Sequence, residues 1–115
     1  MTELDITIEP REQAVVMTLK GSAGMEGTNV LRDALRKITR ETATNVLVNL
    51  EHLDFTSSLG LGALIEAHTQ LHQNGLELVL VNPNPAVLKV LKTTQLVRLF
   101  NIQQSLNEAL GISNL

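Results

Sequence analysis

Val46-Leu47-Val48-Asn49-Leu50-Glu51-His52-Leu53-Asp54-Phe55-Thr56-Ser57-Ser58-Leu59-Gly60-Leu61-Gly62-Ala63-Leu64-Ile65 passes from one structural period to another within a single stretch. Asn45 to Leu50 is a run of β-branched residues and leucine with little alternation, which predicts a central strand covered on both faces. Glu51 to Ser58 reads as a linker. Beyond it Leu61, Leu64, Ile65, His68 and Leu71 recur at helical spacing, and Asn74-Gly75 reads as the C-terminal cap of that helix.

The same reading extends outward in both directions. Leu4, Ile6 and Ile8 alternate with polar residues, as do Val15, Met17 and Leu19, so the chain opens with a β-hairpin that turns within Glu9 to Gln13. Leu31, Ala34, Leu35 and Ile38 place an amphipathic helix over roughly residues 26 to 40, with Arg32, Arg36, Lys37 and Arg40 on its solvated faces. Leu76 to Val81 is a second buried strand. Asn84-Pro85 supplies an N-cap and an N1 proline for a helix through about Thr93. Leu96 to Ile102 contains a short last strand, and Ser105 to Leu110 forms a terminal helix, with Gly111 just past it. The expectation is one α/β domain spanning 1–115: an opening β-hairpin, then alternating helices and strands, with a mixed sheet of four to five strands and about four helices.

Composition removes several classes of function. A chain of 115 residues forms one domain and buries roughly two thirds of its unfolded surface. The net charge of −3 and pI near 5.5 leave no footprint for a phosphate backbone, so nucleic-acid binding is not expected. Aromatic residues are 2 % of the chain, only Phe55 and Phe100, too few for a platform that stacks bases or sugars. With no cysteine there is neither a disulfide framework nor a thiolate nucleophile, and no apolar run is long enough to span a bilayer. A cytoplasmic protein is expected, without membrane contact, cofactor or metal.

Thr56, Ser57 and Ser58 precede Gly60 and Gly62 where a helix begins. The first helical N–H groups lack intrahelical partners and the dipole is positive there, so a serine at this place caps the helix, and a phosphoserine is stabilised by it. Gly60 and Gly62 cost helix stability, about 1 kcal/mol each against alanine, and would let another protein's backbone come close.

These residues carry a resemblance. Val46 to Leu50, then Leu53-Asp54-Phe55 and Ser57-Ser58-Leu59-Gly60-Leu61-Gly62, are similar to the signature of the STAS-domain anti-sigma factor antagonists, also called anti-anti-sigma factors. The hairpin ending in Thr18-Leu19-Lys20-Gly21, and Asn82-Pro83-Asn84-Pro85-Ala86-Val87, are placed as in that family, so the resemblance covers nearly the whole chain and implies a STAS-like fold. It implies a non-enzymatic regulatory module. In the family it resembles, an anti-sigma factor that is also a serine kinase phosphorylates a serine at the start of the second helix, a PP2C-type phosphatase restores it, and the unphosphorylated form binds the anti-sigma factor and frees the sigma factor, so the resemblance implies the same cycle here. Transcription is thus regulated indirectly.

Ser58 matches the phosphoacceptor. Ser57 stands where the family has aspartate, and Leu59 where it has a small residue, which leaves Ser57 and Thr56 as fallback acceptors. Gly21-Ser22-Ala23-Gly24 replaces the family's Gly-x-Leu/Ile-Asp. Partner contacts are expected from Asp54, Thr56, Ser57, Ser58, Leu59, Gly60 and Gly62, together with the exposed face of the second helix, in a monomer or weak dimer. The alternative is a constitutive STAS scaffold or accessory subunit of a signalling or transporter complex, with the serine pair acting only as a cap.

Other constellations are poorer. His68 and His72 lie four apart on one helix near Glu66 but lack a third ligand of the usual kind. His52, Asp54 and Ser58 come from one short segment without the Gly-x-Ser-x-Gly elbow of a hydrolase, and no Gly-x-x-x-x-Gly-Lys phosphate loop is present.

Overall fold

A computed structural model describes residues 3–113. The chain runs β1 (Leu4–Pro10), β2 (Ala14–Ala23), α1 (Met25–Glu41), β3 (Asn45–Thr56), α2 (Ser58–Gln73), β4 (Leu78–Val81), α3 (Pro85–Thr93), a single 3-10 turn (Leu96–Arg98), β5 (Asn101–Gln103) and α4 (Leu106–Ser113). The five strands form one sheet in the order β1-β2-β3-β4-β5. β1 pairs antiparallel with β2 as the opening hairpin, and every later pairing is parallel, each made by a helical crossover.

Two apolar layers flank the sheet, and alternation along the strands assigns residues to them. Met17, Leu19, Val46, Val48, Leu50, Leu78 and Leu80 face one side, where Leu31 and Leu35 of α1, Leu64 and Leu71 of α2, and Val87 and Leu91 of α3 cover them. Ala14, Val16, Leu47, Val79 and Val81 face the other side, under Ala109, Leu106 and Leu110 of α4. The central strand is therefore covered on both faces, as its unbroken apolar run predicts.

Helix ends follow the sequence closely. Asn84 Oδ1 accepts from the Val87 N–H at 3.0 Å, with Pro85 at N1. At the end of α2, Gly75 takes φ +74°, the Gly75 N–H donates to the His72 carbonyl at 3.0 Å, and the Leu76 N–H to that of Leu71 at 2.8 Å. These are the two bonds of a Schellman cap, and the left-handed backbone explains the glycine.

Three boundaries differ from the expectation, the first being β4, which starts at Leu78 rather than Leu76. Glu51 to Thr56 is not a linker but the far half of β3, paired with β2 out to Ala23 opposite Thr56. Register shifts between Thr18 and Lys20 and between Gly21 and Ser22 break the alternation, so Leu50 and Leu53 both enter the core and the period of two is lost in the sequence. Gly111 does not end the last helix, which continues to Ser113.

Candidate functional site

β4 pairs with β3 only as far as Asn49 opposite Val81, so β3 projects past it and delivers α2 at the carboxyl end of the sheet. In sheets of this kind that is where ligands and partners gather. The turn is held from below by the end of β2, since the Ser57 N–H donates to the Ala23 carbonyl at 2.9 Å.

The three hydroxyls occupy three different environments. Thr56 is buried at 6 % exposure. Ser57 is the N-cap of α2 and half-buried, its Oγ accepting from the Gly60 N–H at 3.1 Å and lying 2.7 Å from Thr28 Oγ1 on α1. Ser58, the first residue of α2, is exposed, and its hydroxyl has no hydrogen-bond partner among the described residues. Capping and exposure, two roles a serine pair offers in sequence, are thus divided between neighbours.

The glycines divide likewise. Gly60 is buried, and a Cβ there would collide with Thr56 Oγ1 and meet the Ala23 methyl at 3.5 Å. Its missing side chain serves internal packing. Gly62 is exposed, and a Cβ there would have nothing within 4 Å. No internal contact requires that glycine.

Beside the start of α2 lies an exposed apolar surface. Met25 at the start of α1 is 88 % exposed, Leu59 is 70 % and Phe55 is 53 %. With Thr28, Asn29 and Ser57 they line an open groove of about 470 Å³ between the N-termini of α1 and α2. Phe55 also borders a smaller hollow of about 80 Å³ against Ala86, Val87 and Val90 of α3. Asp54 and Glu26 are exposed in the same region. Met25 carries no signal in the sequence, because the helical periodicity begins after it.

Further along the same two helices, Arg36 on α1 grips Glu66 on α2, Nε to Oε1 at 2.9 Å and Nη2 to Oε2 at 3.2 Å. Its hydrogen bond holds the Glu66 carboxyl below the ordinary carboxylate value.

The histidines lie elsewhere. His68 stacks on His72 with ring centroids 6.0 Å apart and meets Phe100 edge-on at 5.6 Å, while among the described residues no three His, Asp or Glu side chains converge as a metal site. His52 Nε2 lies 3.8 Å from Glu51, and no hydrogen bond joins His52, Asp54 and Ser58 among the described residues. No helix of the described residues is long and apolar enough to cross a membrane.

Comparison with known proteins agrees with this geometry. The STAS domain model matches residues 5–109. An anti-sigma F factor antagonist from Paenibacillus polymyxa is 24 % identical over 100 residues, covering 86 % of each chain. A solved anti-sigma factor antagonist from Thermotoga maritima superposes with a TM-score of 0.88 at 18 % identity, over 96 % of this chain and 95 % of that one. The antagonist SpoIIAA superposes in its unphosphorylated form with a TM-score of 0.79 at 23 % identity, over 92 % of this chain and 93 % of that one. Its phosphorylated form, from Bacillus, gives 0.73 at 22 % identity, over 93 % and 97 %. At these identities the solved structures speak for the fold, and the family match carries the assignment: the chain belongs to the STAS-domain family, with the anti-sigma factor antagonists as its relatives.

Proposed function

We propose that the protein is a phosphorylation-controlled anti-sigma factor antagonist, a non-enzymatic module that binds an anti-sigma factor serine kinase while Ser58 is unmodified. The observation that carries this reading is the contrast at the start of α2: Ser58 offers an exposed hydroxyl with no partner among the described residues, beside a buried Thr56 and a hydrogen-bonded Ser57. Phosphoryl transfer needs an oxygen that can approach the γ-phosphate in line and release its proton. In the transfer the Ser58 Oγ–P bond forms, the bond from the γ-phosphorus to the ADP oxygen breaks, and the serine proton passes to a base of the kinase.

The consequence follows from where the charge arrives. A phosphate brings about −1.5 to −2 charges to the residue between Ser57 and Leu59, both of which line the groove with the exposed Met25 and Phe55. A partner that has desolvated those side chains cannot keep the charge buried without a matching cation, so modification releases it. Asp54, Leu59 and Gly62 supply contacts from the exposed surface, while Thr56, Ser57 and Gly60 shape the turn from behind. A PP2C-type phosphatase that hydrolyses the phosphoserine completes the cycle.

The test is intact-mass analysis of the protein after incubation with Mg²⁺-ATP and each purified anti-sigma factor kinase encoded in the same genome, followed by location of the modified residue. One added phosphate on Ser58 is expected. No added phosphate with any of them, together with unchanged binding by Ser58→Glu, would make the protein a constitutive binding module.

A further inference from the structure

Ser57 gives this chain a second hydroxyl directly beside the proposed acceptor. The family pattern has an aspartate at that place, which carries no proton at neutral pH and offers a kinase nothing to modify. Ser57 also lines the open groove between α1 and α2, so burial alone does not withhold it.

Its hydrogen bonds do. Thr28 is 3 % exposed, and its hydroxyl lies 3.0 Å from the Ala23 carbonyl. That carbonyl can only accept, so the Thr28 proton is spent on it, and in the 2.7 Å contact with Ser57 the serine must be the donor. The order is therefore Ser57 O–H to Thr28 Oγ1, then Thr28 O–H to the Ala23 oxygen, with the Ser57 oxygen itself accepting from the Gly60 N–H at 3.1 Å. The Ser57 proton and a lone pair are both committed. Ser58 has neither commitment among the described residues.

We infer that Thr28 is a selectivity residue: by holding the Ser57 hydroxyl in the cap, it confines phosphorylation to Ser58. The inference rests on the proposed phosphoacceptor reading and adds to it a positioning residue on another helix. Valine at position 28 keeps the shape of threonine but removes both the acceptor for Ser57 and the donor to Ala23. The Ser57 hydroxyl is then free to turn into the groove. Thr28→Ser keeps the relay.

The experiment compares the parent protein, Ser58→Ala, Thr28→Val/Ser58→Ala and Thr28→Ser/Ser58→Ala, each incubated with Mg²⁺-ATP and the anti-sigma factor kinase that modifies the parent. Phosphate on Ser57 is quantified by peptide mass spectrometry, and exchange of the Gly60 amide, which reads the cap directly, is followed by NMR. Loss of one held hydrogen bond should raise Ser57 phosphate in Thr28→Val/Ser58→Ala about two- to ten-fold over Ser58→Ala, with faster Gly60 exchange and the other α1 and α2 amides unchanged. Thr28→Ser/Ser58→Ala should behave as Ser58→Ala does. Equal Ser57 phosphate in Ser58→Ala and Thr28→Val/Ser58→Ala, with the parent still modified on Ser58, would overturn the role of Thr28 alone. A parent that accepts no phosphate from any kinase would overturn the acceptor reading and this inference with it.

Discussion

Gly60 packs so closely over Thr56 that a methyl group on the glycine would collide with the threonine hydroxyl oxygen. The turn from β3 into α2 is thus closed by a contact between two residues of the motif itself, and the neighbouring Gly62 takes no part in it.

Alanine at the two glycines should act in opposite directions. Gly60→Ala forces Thr56 or the backbone aside and should cost about 1–3 kcal/mol. Gly62→Ala meets only open space and should stabilise the helix by up to about 1 kcal/mol, while weakening partner binding if a backbone approaches there. Urea unfolding and a binding titration on the same two proteins check both.

The adjacent serines should separate in the same way. Ser57→Ala removes the cap on the Gly60 N–H and should lower stability by about 1 kcal/mol, whereas Ser58→Ala touches an exposed side chain and should stay within about 0.5 kcal/mol of the parent. Chemical denaturation of the two variants measures this.

Much of this architecture is legible in the sequence, and the failures have physical causes. Asn45 to Leu50, the Asn84-Pro85 start and the Asn74-Gly75 stop are read correctly because each rests on local chemistry that tertiary structure did not override. The far half of β3 is missed because its irregular pairing with β2 destroys the alternation that marks a strand. Which serine caps is undecidable from two identical neighbours, since the answer depends on where β2 and α1 lie. Thr28 left one usable signal: with Leu31, Leu35 and Ile38 it shares the buried stripe of α1, and a buried hydroxyl requires a partner.

The Arg36–Glu66 pair gives a pH dependence whose sign is fixed. Arg36 holds the Glu66 carboxyl below its ordinary value, so its contribution is present while the group is ionised and is lost as pH falls through the lowered folded-state value. Both side chains are substantially exposed, so the effect is small and screened by salt. Glu66→Gln should be slightly less stable than the parent at neutral pH and low salt. The two should converge in strong acid and at about 1 M salt, as comparison of urea midpoints will show.

Leu59 is 70 % exposed where the family pattern has a small residue, and it stands next to Ser58. Leu59→Ser should leave the unfolding midpoint nearly unchanged, because little of the side chain is buried in the free protein. It should weaken binding to the anti-sigma factor by about ten-fold or more if this residue is buried at the centre of the interface. Isothermal titration calorimetry against the purified partner checks it.

Whether a phosphate on Ser58 decides binding, as proposed, is tested most directly by titrating the purified anti-sigma factor with unmodified protein and with protein homogeneously phosphorylated on Ser58. Tight binding is expected of the first and binding weaker by at least about a hundred-fold of the second, the loss expected for a charge left unpaired in a buried interface. Equal affinity of the two forms would contradict the proposal.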